Sequence, residues 1–215
     1  MAVIVYKSNQ SSELYLERRK IVNGTMGAGA PLTKKCIAEI SAAIAADDKD
    51  ITFGLHGIMP PTLLYADTTP GHTKLVWYRP PEARQVYFSE TLGIEDGILK
   101  CPGLVYMSDN DRLILYAFKG MKPKSKLYRA PFMNVGEGSV CLGNAKIAKP
   151  KANTFSDVMG YWEELFWRSE FSHILGSNPV NGNLASITKE CIKAKSPIPT
   201  SVLIPVKTKL QDLLK

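Results

Sequence analysis

Asn134 and Cys141 are separated by six residues in the stretch PFMNVGEGSVCLGN (131–144), and Gly136 and Gly138 lie between them. A cysteine thiolate can attack an acyl carbon, and an asparagine amide can hydrogen-bond the oxyanion that forms. The glycines admit positive φ and allow another segment to approach closely, so they mark a turn. Reactive side chains gather on such loops when a rigid scaffold holds them. Each residue also has a plain structural role. A cysteine in a Val-Cys-Leu context serves as a small buried hydrophobe, and an asparagine pins a turn through its own backbone. No histidine adjoins Cys141 in sequence. His173, further along, is a candidate for proton transfer near the thiol or simply an exposed histidine after a helix. Glu137 is the nearest acid and has the ordinary place of a solvated turn residue. If Cys141 reacts, its activation comes from the fold or from an already activated substrate such as a thioester. Cys36 fits the apolar face of a helix, and Cys101 and Cys191 have no neighbours that suggest chemistry.

The elements that must hold this stretch can be read from periodicity. AVIVY and LYLERRKIV, joined by polar SNQSSE, predict an N-terminal hairpin, and GTMGAGAP (24–31) reads as a flexible break. Cys36, Ile37, Ile40, Ala43 and Ile44 share one face of a helix starting at Thr33 and ending near Asp47–Asp50. KLVWYR (74–79), QVYFS (85–89), LVYM (104–107) and RLILYAF (112–118) follow as strands without an intervening helix, the last two joined by a turn at SDND. That succession predicts an antiparallel meander. After the glycine turn, Phe155, Val158, Met159, Trp162, Leu165 and Phe166 mark a helical stripe, capped by Thr154 or Ser156. Glu164 and Arg168 stand four apart on it. Two helical stretches, near 184–194 and 205–214, complete the chain. The fold class expected is α+β, with a sheet covered by helices. Residues 1–215 form a single domain in this reading. It comprises a hairpin extension and link (1–30), a core (31–175) holding the active-site segment 130–145, and a helical extension (176–215).

Composition narrows the function classes. A chain of 215 residues with 45% hydrophobic and 22% charged residues can bury roughly 70% of its unfolded surface without staples. The four cysteines form no CxxC pair, and none of the three histidines groups with them, so no zinc site is expected. No signal-like apolar core and no membrane-length apolar run occur, which predicts reduced thiols in a cytoplasm. The charge is uneven. Residues 1–110 carry 11 basic and 12 acidic side chains, whereas residues 111–215 carry 16 and 8. The excess lies in clusters at 119–129, 146–151 and 189–195. Such a half suits an acidic protein partner, a nucleic acid or plain solvation. Aromatic residues do not interleave with the lysines in a stacking pattern.

The segment resembles the active-site stretch of ubiquitin-conjugating enzymes, in which a His-Pro-Asn triplet leads through valine and a glycine-bearing turn to cysteine and leucine. Asn134, Val135, Gly138, Val140, Cys141 and Leu142 stand in that order. Phe132 and Met133 replace the histidine and proline, and the spacing to the cysteine is one residue shorter. More closely, the chain is similar to the prokaryotic ubiquitin-conjugating family D of PRTRC systems. The shared features are WYRPP, LVYM, LILYAF, the core PF-x-N-V…G-x-V-C-x-G-N, and a later F-x-x-S-x-F-x-H, here Phe166, Ser169, Phe171 and His173. The resemblance implies a ubiquitin-conjugating-like fold and a cysteine carrier that needs no cofactor. Its implied partners are a ThiF-like activating enzyme and a small ubiquitin-like protein, often encoded beside plasmid-maintenance genes. In this reading Cys141 accepts the modifier as a thioester, Asn134 stabilises the oxyanion on transfer, and His173 assists with protons. A nucleic-acid-binding accessory, a non-catalytic adaptor and a Cys141–His173 hydrolase remain as alternatives.

Overall fold

A computed structural model describes residues 2–7, 14–38, 55–69, 72–143, 145–150 and 153–215. They belong to two compact units, Met1–Thr52 and Phe53–Lys215. In the first unit, β1 (Ala2–Lys7), β2 (Leu14–Val22) and β3 (Thr25–Pro31) form an antiparallel sheet in that order. The third strand corrects the expected flexible break. Asn23 and Gly24 both take positive φ, 47° and 77°, and make the two-residue turn whose twist suits a hairpin. Val22 then pairs Thr25, and the ladder continues to Glu17 opposite Pro31. Pairing with β2 thus overrides the low strand preference of glycine and alanine. A helix starts at residue 34 with Thr33 Oγ1 accepting from the Cys36 N–H, and Cys36 is buried. Residues 8–13 and the rest of the expected helix, including Ile40, Ala43 and Ile44, lie outside the described residues.

In the second unit, β4 (Leu63–Asp67) and β5 (Lys74–Arg79) open an eight-stranded sheet. β6 (Glu82–Phe88) and β7 (Gly97–Cys101) follow but leave that sheet, which corrects the simple meander. β8 (Gly103–Asp109) therefore pairs β5 directly, and β9 (Arg112–Phe118) pairs β8. The outer edge of β9 receives two short strands in succession. β10 (Lys126–Arg129) pairs it at Ala117 and Tyr116, and the second strand of the hairpin β11 (Val135–Gly136) and β12 (Ser139–Val140) pairs it at Ile114. The central strands are apolar throughout because both faces are covered. Leu75, Trp77, Leu104, Tyr106, Leu113 and Leu115 enter one core, while Val76, Val105, Met107, Tyr116 and Phe118 enter another.

Helix α1 (Phe155–Trp167) packs on the first core through Phe155, Met159, Trp162, Leu165 and Phe166. Thr154 is its N-cap and accepts from the Asp157 N–H, and Glu164 and Arg168 pair at 3.0 Å as the spacing predicts. β13 (Glu170–Phe171) runs parallel to β6, completing a three-stranded sheet in the order β13-β6-β7. Helix α2 (Leu184–Ala194) is capped by Asn183. The last expected helix is mostly a strand. β14 (Pro205–Lys209) pairs β10, and only Leu210–Leu213 turns into a short helix, α3. Val206 and Thr208 alternate with exposed residues there, a pattern of period two that suits a strand. The second unit is thus α+β, dominated by antiparallel sheet. Among the described residues no helix is long and apolar enough to cross a membrane.

Candidate active site

Val135 pairs Val140 and Gly136 pairs Ser139, so the glycine turn is a two-residue hairpin with Glu137 and Gly138 at its tip. Both tip residues take positive φ, 51° and 94°. The turn is seated on β9, where the Leu115 N–H donates to the Gly138 carbonyl at 2.8 Å. A Cβ on Gly138 would lie 2.6 Å from the Tyr116 ring, and one on Gly136 would lie 2.6 Å from the Leu175 carbonyl. The two glycines are needed for close approach on opposite sides of the hairpin.

Cys141 follows directly. Its N–H donates to the Asn134 carbonyl at 2.8 Å, closing the base of the hairpin. Val140 and Leu142 pack against the main core, whereas the Cys141 side chain is exposed. Alternation along an extended segment accounts for this, since neighbours on either side face inward. Cys36, Cys101 and Cys191 are all buried. Burial pushes the Cys101 thiol far up, with the Glu82 carboxylate adding to the effect. Cys191 Sγ lies 3.7 Å from the Pro197 carbonyl. Cys141 is thus the exposed thiol of the four.

The structure brings Asn134 and the segment before His173 together. Asn134 is buried, and its Nδ2 donates to the Glu170 carbonyl at 2.9 Å while its Oδ1 accepts from the Ser172 N–H at 3.3 Å. The Leu175 N–H adds a bond to the Met133 carbonyl at 2.9 Å. Both polar atoms of the Asn134 amide therefore serve the strand that leads to His173. That histidine is exposed, with Nδ1 2.9 Å from Ser172 Oγ. Among the described residues Cys141 Sγ makes no hydrogen bond, to His173 or to any other side chain. Glu137 is exposed at the hairpin tip. Below the hairpin, Phe132 packs edge-on to Phe166 and Trp167 and within 5.9 Å of the Phe171 ring. Aromatic rings thus join the segment before the turn to the segment bearing His173. No group of three or more potential ligands for a metal occurs among the described residues.

Periodicity missed one polar centre. Glu163 is buried in α1, where its Oε1 accepts from Trp77 Nε1 and Arg79 Nε, each at 2.8 Å, and its Oε2 from Arg84 Nη2 at 3.1 Å. Trp167 Nε1 donates to Tyr106 Oη at 3.1 Å beside it. The signal in the sequence was an acid four residues after Met159, on the buried stripe. This centre ties α1 to β5 and β6 and is not joined to Cys141 by any hydrogen bond.

No curated protein and no solved structure matches the chain. A family does, and it covers the glycine hairpin, α1 and most of the sheet of the second unit. Its matched span is residues 38–206, and the chain belongs to prokaryotic E2 family D.

Proposed function

We propose that this protein is a cysteine-dependent carrier and transferase for a ubiquitin-like modifier, with the ubiquitin-conjugating-like fold its family suggests. A ThiF-like activating enzyme would present the modifier's C-terminus as a thioester. Cys141 Sγ, as thiolate, attacks the carbonyl carbon. The bond from that carbon to the enzyme's sulfur then breaks, the departing thiolate takes up a proton, and a new thioester stands on Cys141. An acceptor nucleophile repeats the exchange, freeing the thiol. The system is one of the PRTRC type, and the chain fills the place of its protein B.

The observation that carries this reading is the exposed thiol of Cys141 on a clamped hairpin, within a chain of the E2 family. Fixing the backbone beneath a nucleophile lowers the entropic cost of aligning it with a carbonyl. Asn134 acts as a positioning residue in this proposal, because its amide is spent on Glu170 and Ser172. His173 lies two residues beyond β13, in the segment that Asn134 secures, and is the candidate for moving a proton from the attacking acceptor.

The test is a non-reducing gel of the chain with its cognate modifier, activating enzyme and ATP. A reducible adduct forms on the wild type and on Cys36→Ala, Cys101→Ala and Cys191→Ala, and is absent from Cys141→Ala. An adduct that survives Cys141→Ala overturns the assignment. No adduct on any variant, with the modifier still bound, makes the chain an adaptor.

A further inference from the structure

The basic excess of the second half is not spread evenly over the fold. Lys119 follows β9 and Lys126 opens β10, and their ammonium groups lie 4.8 and 5.6 Å from the centre of the Tyr128 ring. Tyr128 packs against the first core while its neighbour Leu127 enters the second, so this ring and these lysines share one face of the sheet. Lys126 sits directly across from Lys209 of β14. Val206 turns to the second core, and Lys207 and Lys209 alternate with it and are exposed. Like charges facing each other across a ladder destabilise it, and the Tyr128 ring and the Asp212 carboxylate near Lys209 offset this in part. Among the described residues none of these four ammonium groups forms an ion pair. Asp212, on the following helix, is engaged by the Lys209 N–H and by Lys215.

The register along β9 sets how far this face lies from the thiol. β10 and β12 dock one after the other along the same edge of β9, with Tyr128 opposite Ala117 and Ser139 opposite Ile114. Continued along β9, that register sets Lys126 level with Lys119 and Cys141 level with Arg112, seven residues or about 23 Å of strand apart, with the Cys141 side chain on the opposite face of the sheet. Lysines on an exposed edge strand also discourage pairing with other chains, which accounts for Lys207 and Lys209 but not for Lys119 or Lys126. Single-stranded nucleic acid would need open aromatic faces. The ring here is half-buried and already carries two cations.

We infer that Lys119, Lys126, Lys207 and Lys209, grouped around Tyr128, dock an acidic face of a protein partner. The inference rests on the carrier reading for its purpose, since the docked protein is the one that brings or receives the acyl group. Electrostatic steering of this kind raises the rate of encounter and weakens with salt.

A fluorescein-labelled twelve-residue peptide rich in Glu and Asp serves as probe, followed by anisotropy at low salt. The wild type binds it, and binding weakens steeply with added salt. Lys126→Glu/Lys209→Glu weakens binding by roughly tenfold or more, whereas Lys193→Glu/Lys195→Glu on the far basic cluster stays within about twofold. Equal losses from both double variants overturn the inference. An oligonucleotide of equal charge that binds tighter, and is lost with the same pair, makes the face one for nucleic acid and overturns it too. Adduct formation on Cys141 is scored separately. Absent peptide binding with a normal adduct removes the docking face alone, and peptide binding without an adduct removes the carrier reading alone.

Discussion

At the scale of single residues, the chemistry turns on which polar atoms are free and which are spent. The Cys141 thiol is exposed while its own N–H is tied to Asn134, and the Asn134 amide is tied to Glu170 and Ser172. Asn134→Ala leaves a carbonyl and an N–H without their partner in a part-buried place, which costs up to about 1–3 kcal/mol. The expected outcome is a lower melting temperature with adduct formation falling alongside it. Both are measured on one preparation. Normal loading with slow discharge of the thioester would instead assign the amide to the oxyanion, where loss of one donor costs about 10²–10³ in rate. The partnership could not be read from sequence. Asn134 and Glu170 are 36 residues apart, and their segments are brought together by the edge-on packing of Phe132 on Phe166 and Trp167 and by the Leu175 N–H bond to the Met133 carbonyl.

At the scale of elements, the hairpin under Cys141 depends on two backbone conformations. Gly138 has φ +94° and no room for a Cβ against Tyr116, so Gly138→Ala combines strain with a clash. It is expected to cost about 2–4 kcal/mol and to change the rate at which Cys141 is alkylated. Glu137→Gly, at the other tip position, should be tolerated with little change. Chemical denaturation and thiol alkylation of both variants check this. The elements legible in sequence were those whose side chains pack by strict period. α1 repeats every three to four residues, and β5, β8 and β9 are rich in β-branched and aromatic residues. β3 and β14 were missed for a different reason. Their residues have weak or polar side chains, and what makes them strands is the backbone ladder offered by β2 and β10. The departure of β6 and β7 into a second sheet was equally hidden, because it depends on β13, some 70 residues further on.

At the scale of the whole molecule, buried ionisable groups set the conditions under which the second unit survives. Burial raises the Cys101 thiol and holds the Tyr106 phenol well above its ordinary value, with Glu163 adding to the second effect. Both groups stay protonated in the folded chain. In the unfolded chain they release protons near their ordinary values of 9.0 and 10.0. Folding stability from these groups is therefore complete below about pH 9 and declines as pH rises beyond it. Melting curves between pH 7 and 11 should show a steep fall above pH 9. Cys101→Ala should flatten the part of the fall between pH 9 and 10 relative to its own value at pH 7. A parallel pair of curves would mean that the thiol takes no part.

The bond from the Cys141 N–H to the Asn134 carbonyl gives one residue two clocks. Its sulfur meets solvent at all times, but its amide proton can leave only when the hairpin base opens. Deuterium should therefore enter the Cys141 amide far more slowly than it enters the exposed loop at 119–125, although an alkylating reagent finds the thiol at once. In the proposed carrier, a reacting carbonyl would meet a sulfur whose anchor is already still, so the waiting would be done before the partner arrives.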